Sequence, residues 1–457
     1  MTTSIMWFRR DLRLSDHPAL LAAQASADHV LPLFVVNPAL SAPATPRANR
    51  LFASVQALAE ATDGALVVRT GDPRRLVPEL AKEVGASEVH VTRETTPYGR
   101  RRDERVASAL ARAGRSLVAT GTPYAVGPGT LLSSAGTPYQ VFTPWERAWS
   151  HHGFPAPATR PDPIPWHRGV PGEAAADSRS PESPDGAGWQ AGEEAALGLW
   201  ADFLRGRLGG YADHRDRPDL DETSRLSVPL KYGEIHPRTI LSGIAASPHA
   251  RSEGAARFIT ELGWREFYAD VLWHRPQSAW RDLREDLSGM QYDSGPATDA
   301  LVDAWREGRT GFPLVDAGMR QLLHDGWMHN RVRMVTASFL SKDLHVWWPV
   351  GARHFLDHLL DGDIASNNHG WQWVAATGTD SAPYFRIFNP VAQGLRYDPD
   401  GEYVRRWVPE LRHLPGPAVH EPWRHPLGHS HGYAGRILDH AEARAEALDR
   451  YQRARRG

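Results

Sequence analysis

The chain has 457 residues, 41% of them hydrophobic and 23% charged, which is enough apolar material for two or three domains with sizeable cores. It has no Cys, which excludes disulfides, thiolate metal sites and a cysteine nucleophile; its formal net charge of −2 excludes a uniformly basic nucleic-acid coat while allowing a local basic cleft. No apolar leader follows Met1 and no run nears the length of a membrane span, so a cytoplasmic protein without membrane association is expected.

In chain order, apolar runs at 5–8, 30–36, 66–69, 89–92 and 116–119 read as buried strands, and the segments 18–27, 47–61, 74–84 and 100–113 between them as helices. That βαβ rhythm predicts an α/β N-terminal domain over 1–130, built on a doubly wound parallel sheet. The turn after the first strand is Arg9-Arg10-Asp11-Leu12-Arg13 with no G-x-G-x-x-G, so the domain is Rossmann-like without the dinucleotide fingerprint. Residues 131–198 are rich in Gly, Pro, Ser and Ala and read as an interdomain linker, except that 141–145 reads as packed. Over 199–457 the pattern is helical, with apolar stripes at 255–273, 313–326 and 331–344 and an amphipathic helix after His440, which predicts an all-α C-terminal domain.

The densest chemistry lies at 361–390, DGDIASNNHGWQWVAATGTDSAPYFRIFNP. Two aspartates (Asp361, Asp363), two adjacent amides (Asn367, Asn368) and two indoles (Trp371, Trp373) fall within thirteen residues of each other. A helix that only packs does not need this set, whereas a site holding a planar, polar-edged cofactor against an aromatic relay does. Trp371 and Trp373 diverge by about 200° on a 3.6-residue period, so one can face the interior and the other a cavity. Nine of the 17 Trp crowd between Trp264 and Trp373.

With WFRRDLRLSDHPAL at 7–20, TSRLSVPLKYGEI at 223–235, ELGWREFY at 261–268 and TGFPLVDAGMRQLLHDGWMHNRVRMVTASFLSKDL at 310–344, this segment resembles the DNA photolyase/cryptochrome family over nearly the whole chain. The likeness is to its class I cyclobutane pyrimidine dimer photolyases. The resemblance implies an N-terminal antenna domain and a helical domain that binds FAD and the DNA lesion. It assigns Tyr211, Thr223, Ser224, Arg225, Leu226 and Ser227 to FAD, with the hydroxyls of Thr223, Ser224 and Ser227 placed to hold its pyrophosphate; without the resemblance those hydroxyls read first as plain N-caps. Arg265, Asn330, Arg333, Asp361, Asp363 and Asn367 join the flavin set. Arg333 with Asp361 alone reads equally as a structural bridge; beside the ring it favours the anionic reduced form. Asn367 takes the position facing flavin N5, where plant cryptochromes have a carboxylate and animal ones a thiol.

The same resemblance places Glu261, Trp264, Arg265, Trp327, Asn330, Arg331, Met334 and Trp373 on the rim that receives a flipped pyrimidine dimer. Aromatic faces stack on the bases, an acid or amide meets their carbonyl edges, and Arg meets flanking phosphates. Met334 stands where (6-4) enzymes carry His. Trp371, Trp348, Asn367, Glu261 and Tyr292 form the catalytic set, with Trp371 and Trp348 opening an electron relay. Its third Trp is missing: Met290-Gln291-Tyr292 occupies that place, so Tyr292, Trp280 or Trp305 ends the relay, or it stops at two. Tyr98, Gly99 and Trp273 lack the side chains that hold a folate (MTHF) antenna, and 97–103 resembles members using a deazaflavin, 8-HDF. The expected activity is light-driven repair of cyclobutane dimers in DNA by a monomer, with no metal; the alternative is a cryptochrome-type blue-light photoreceptor.

Overall fold

A computed structural model describes residues 1–38, 45–173, 189–379 and 385–456. Part of the predicted linker (174–188) and the 380–384 portion of the dense segment lie outside the described residues. The strands are β1 (Thr3–Phe8), β2 (His29–Val36), β3 (Val67–Thr70), β4 (Glu88–Val91) and β5 (Ser116–Ala119), alternating with α1 (Pro18–Ser26), α2 (Pro46–Ala61), α3 (Pro73–Glu83) and α4 (Pro97–Arg112). There follow α5 (Phe142–His152), α6 (Glu193–Gly206), α7 (Tyr211–His214), α8 (Ser227–Tyr232), α9 (Pro237–Ala246) and α10 (Glu253–His274). The remaining helices are α11 (Pro296–Arg306), α12 (Pro313–Asp325), α13 (Asn330–Ser338), α14 (Trp348–His358), α15 (Ile364–Ala375), α16 (Pro390–Tyr397), α17 (Glu402–Trp407) and α18 (His440–Arg456).

Two compact units emerge, Met1–Gly210 with Ser224–Pro276, and Tyr211–Thr223 with Gln277–Gly457. The first holds a five-stranded sheet of order β3-β2-β1-β4-β5 in which every pairing is parallel. β1 is buried along its whole length, which is why it reads as an unbroken apolar run. The four helices between strands, α1–α4, start on the same local device. His17, Thr45, Asp72 and Thr96 accept a backbone N–H as N-caps, and Pro18, Pro46, Pro73 and Pro97 fill the first turn, where a missing N–H costs nothing. The packed exception in the linker is the start of α5, whose Phe142, Trp145 and Trp149 recur at i, i+3 and i+7 and are buried.

The second unit is helical around a large apolar cluster that includes Trp305, Trp348, Phe355 and Trp371. α12 stops at Gly326, which takes the left-handed conformation (φ 62°) that ends a helix. The helix expected over 331–344 departs from regularity: α13 ends at Ser338 and a π-helical turn, Phe339–Asp343, follows. That wider turn buries two successive charges, and each finds a partner, Lys342 Nζ on the Arg386 carbonyl and Asp343 on His440. Among the described residues no helix is long and apolar enough to cross a membrane.

Candidate functional site

In the second unit α15 organises the chemistry. Asp363 is its N-cap, its Oδ1 accepting from the N–H groups of Ala365 (3.0 Å) and Ser366 (3.1 Å). Counting in fours from that cap puts Asn367 and Trp371 beneath it, so carboxylate, amide and indole share one stripe of the helix. The neighbouring face carries Asn368, His369 and Gln372, all buried, and does structural work. Asn368 donates to the Ala279 carbonyl, His369 Nε2 meets the Ser278 hydroxyl at 2.9 Å, and Gln372 binds both Ser278 O (2.7 Å) and Leu283 N (2.9 Å). These bonds pin the segment 278–283 against α15. Burial drives the His369 pKa down to about 4, so the ring is neutral at pH 7. Trp373 projects from a third direction and is only half-buried, while Trp371 is 2% exposed.

Asn367 has a fixed orientation. Its Nδ2 donates to the Ala352 carbonyl (3.1 Å) and to Asn368 Oδ1 (2.9 Å), which uses both amide protons and leaves its own carbonyl oxygen without a partner among the described residues. On α13, Asn330, Arg333 and Met334 fall at i, i+3 and i+4 and share a face. Arg333 closes a two-pronged pair with Asp361, Nη2–Oδ2 at 2.8 Å and Nη1–Oδ1 at 3.2 Å, and its Nε donates to the Met328 carbonyl at 2.7 Å. Asp361 is buried and Arg333 half-buried, so the cation keeps one open side. Arg331 points elsewhere, to Asp216 at 2.9 Å and over the Tyr397 ring at 4.4 Å. Trp327 is buried beside His329, which caps α13 through Nδ1. Tyr211 is buried under Arg215.

Trp371 on α15 and Trp348 on α14 lie in the same dry cluster, where Phe355 meets Trp371 edge to face at 5.0 Å. The indole N–H of Trp371 has no hydrogen-bond partner among the described residues; that of Trp348 donates to Asp282 Oδ1 at 2.6 Å. Trp305, offered by the sequence as an outer member, is fully buried, 6.1 Å from Trp371. The close fit at Trp371 depends on Gly351, since a Cβ there would overlap the indole and Leu340. Gly351→Ala is therefore expected to lower stability by about 1–3 kcal/mol through overpacking and to displace the Trp371 ring. Thermal melting together with the tryptophan near-ultraviolet dichroism checks this; an unchanged spectrum would refute it.

In the first unit, the start of α8 and the three residues before it carry four of the predicted FAD residues, Ser224, Arg225, Leu226 and Ser227; Tyr211 and Thr223 fall in the second unit. Arg225 adopts φ 52°, Ser224 Oγ accepts from the Leu226 N–H, Leu226 is buried, and Ser227 is exposed at the first turn. On α10, Glu261 pairs with Arg257 at 3.1 Å and Trp264 stacks flat on Phe142 at 3.8 Å. Arg265 donates to the carbonyls of Pro123 (3.2 Å) and Leu230 (3.3 Å) and covers the Tyr124 ring. The same helix carries two buried carboxylates that sequence reasoning passed over, Glu266 and Asp270. They accept the N–H groups of Ala125, Val126 and Gly129 and so tie a loop to α10. Charged residues inside an otherwise apolar WREFYAD run were the available signal.

A small, shallow polar crevice lies where β1 and β4 end, at the point where the strand order reverses, lined by Arg9, Arg10, Thr92 and Glu94 among others. Burial alone would raise the Glu94 pKa, but Arg10, Arg102 and Arg9 override it and hold it at about 2. Arg9 and Arg102 both sit near the Trp7 ring and share Asp103. Tyr98 bonds Asn37 at 2.8 Å, and the Trp273 indole is covered by Arg100 at 3.8 Å.

Comparison with known proteins matches both parts of the chain. Residues 4–163 fit the family model described as DNA photolyase, and residues 258–453 the model described as FAD binding domain of DNA photolyase. A deoxyribodipyrimidine photo-lyase of Streptomyces griseus is 40% identical over 100% of this chain and 99% of its own length. Among solved structures, a bacterial class III photolyase from Agrobacterium tumefaciens superposes with a TM-score of 0.93 at 36% identity, covering 100% of this chain and 98% of that one. A Synechocystis cryptochrome superposes with a TM-score of 0.87 at 28% identity, covering 98% and 99%. With a relative this similar over its full length, and with the sheet and the α13–α15 stripe arranged as described, the chain belongs to the DNA photolyase family.

Proposed function

We propose that the protein repairs cyclobutane pyrimidine dimers in DNA by light-driven electron transfer from bound, reduced FAD. The observation that carries this reading is the amide of Asn367. Both of its protons are committed to the protein, so its carbonyl is an acceptor, the polarity that suits a reduced flavin carrying a proton at N5. A carboxylate in its place would repel the anionic ring. The Arg333–Asp361 pair supports the same assignment, because a half-open guanidinium stabilises negative charge next to it. When bound, FAD supplies the excited-state electron that opens the two bonds of the dimer; the protein's residues position both partners. Arg333, Asp361, Asp363, Asn330 and Asn367 hold the ring, and Tyr211, Thr223, Ser224, Arg225, Leu226 and Ser227 the phosphates.

Trp373 and Trp327 offer faces for stacking, Trp264, Glu261 and Arg265 meet the lesion's edges, and Arg331 and Met334 complete the rim. A cyclobutane dimer is already poorly stacked, so flipping costs less than for intact bases and recognition follows structure more than sequence. A second, light-harvesting chromophore belongs to the proposal, a deazaflavin (8-HDF) in preference to a folate. Support comes from Trp273, whose face is already taken by Arg100. The functional form is a monomer.

The test is visible-light repair of an oligonucleotide containing one thymine dimer, with the protein's flavin reduced beforehand by dithionite. Restored thymines in the light and none in the dark are expected. Flavin-loaded protein that restores none would favour the photoreceptor reading.

A further inference from the structure

We propose that the exposed indole of Trp347 is the surface end of the electron relay that runs from Trp371 through Trp348, a role that rests on the flavin-binding reading above. Trp347 is 39% exposed and lies 6.4 Å from Trp348, ring centre to ring centre. Both indole N–H groups point at one oxygen, Asp282 Oδ1, at 2.6 Å from Trp348 and 3.3 Å from Trp347. A carboxylate beside an indole stabilises the positive charge that one-electron loss creates there.

The three sites therefore form a gradient. Trp371 is buried and its N–H meets no acceptor among the described residues, so a positive charge there keeps its proton and is free to move. Trp348 is equally buried but holds the anion. Trp347 shares the anion and adds water. The loop that presents Asp282 is pinned to α15 by Asn368, His369 and Gln372, so the helix that carries the first relay residue also fixes the anion serving the last two.

The other candidates lack this combination. Trp305 is fully buried and its N–H goes to the Thr336 carbonyl, so charge arriving there has no exit. Trp280 lies under the Arg353 guanidinium at 4.4 Å, and a cation on the ring face opposes a second positive charge. Tyr292 must lose its phenolic proton when oxidised. It makes no hydrogen bond among the described residues, and burial, with the nearby Asp282 charge, pushes its pKa well above the usual phenol range.

The electron count closes as follows. Trp371 gives one electron to the photoexcited oxidised flavin, Trp348 refills Trp371, and Trp347 refills Trp348. Trp347 then releases its indole proton to water, and a small soluble thiol returns one electron and one proton to it, leaving a thiyl radical.

The experiment uses holoprotein with oxidised flavin, a blue flash, transient absorption, and electron paramagnetic resonance with ring-deuterated Trp or Tyr. A long-lived neutral tryptophanyl radical is expected, quenched by added thiol. It should be lost in Trp347→Phe, retained in Tyr292→Phe and Trp280→Phe, and shortened in Asp282→Asn. Flavin absorbance per polypeptide confirms that each variant is loaded. Retention of the signal in Trp347→Phe overturns the proposal, as does a tyrosyl spectrum in the wild type. Wild-type protein that takes up no flavin overturns the cofactor reading as well, whereas flavin uptake with the signal retained in Trp347→Phe leaves that reading standing.

Discussion

Asp361→Asn is expected to yield a protein that purifies with little or no flavin. Asp361 is buried and its two oxygens are both engaged by Arg333. Asn keeps the shape and loses the charge, which leaves a guanidinium only 24% exposed opposite a neutral amide that cannot accept at both prongs. Breaking a buried pair from one side costs about 3–5 kcal/mol, and the partial exposure of Arg333 puts this case at the lower end. If that loss falls on the bound form, it corresponds to roughly a hundredfold weaker flavin binding. The measurement is flavin absorbance per polypeptide, followed by titration of the stripped protein with FAD. The pair is only a structural bridge if the variant melts lower but the folded fraction binds FAD as tightly as the wild type. Arg333→Lys serves as the companion: it keeps the charge and loses the planar fork, so intermediate flavin retention is expected.

How far such a site is legible depends on which force places each residue. The strands were readable because β1 and β2 are buried on both faces, and burial on both faces writes itself as an uninterrupted apolar run. The stripe Asp363–Asn367–Trp371 was readable too, because it needs only helical periodicity and one cap. The π-helical turn at Phe339–Asp343 was not, since nothing local distinguishes it from another turn of α13; it follows the burial of Lys342 and Asp343 against residues far along the chain. Trp347 was missed for a related reason. Family position pointed to Trp348, and two adjacent indoles look alike until the fold exposes one and buries the other. Asn368 and Gln372, which chemistry alone would give to a ligand, prove to hold the 278–283 segment. Polar residues next to a site divide between ligand and scaffold, and only the acceptor each one faces tells them apart.

Glu266 gives a large expected pH effect. It is fully buried on α10, and its oxygens accept from Ala125 N (2.5 Å), Val126 N (3.0 Å) and Trp149 Nε1 (2.8 Å). Burial pushes its pKa up to about 7, and the pull of those donors and of Arg265 does not cancel it. A carboxyl that titrates higher in the folded chain than in the unfolded one is held neutral only by the fold. Above the unfolded value of 4.5, the unfolded state gains by ionising and the folded state does not, so stability falls as pH rises from about 4.5 to about 7. A displacement of that size is worth roughly 3 kcal/mol. His329 and His369, both lowered to about 4 by burial, act in the opposite direction, because the unfolded chain takes up protons as pH falls below 6.5. The wild-type profile alone therefore mixes two slopes, and the informative quantity is its difference from Glu266→Gln. The amide cannot ionise, and its NH2 faces an N–H donor, so at pH 5 the variant is expected to be less stable by about 1–3 kcal/mol. That gap should close as the pH approaches 7.5, where the wild type carries a desolvated charge and the variant does not. Equilibrium denaturation of both proteins at several pH values measures it. A gap that widens with pH would mean that the three donors outweigh burial and that Glu266 is ionised in the native protein, with the loop at 125–129 held by a charge and not by a neutral acid.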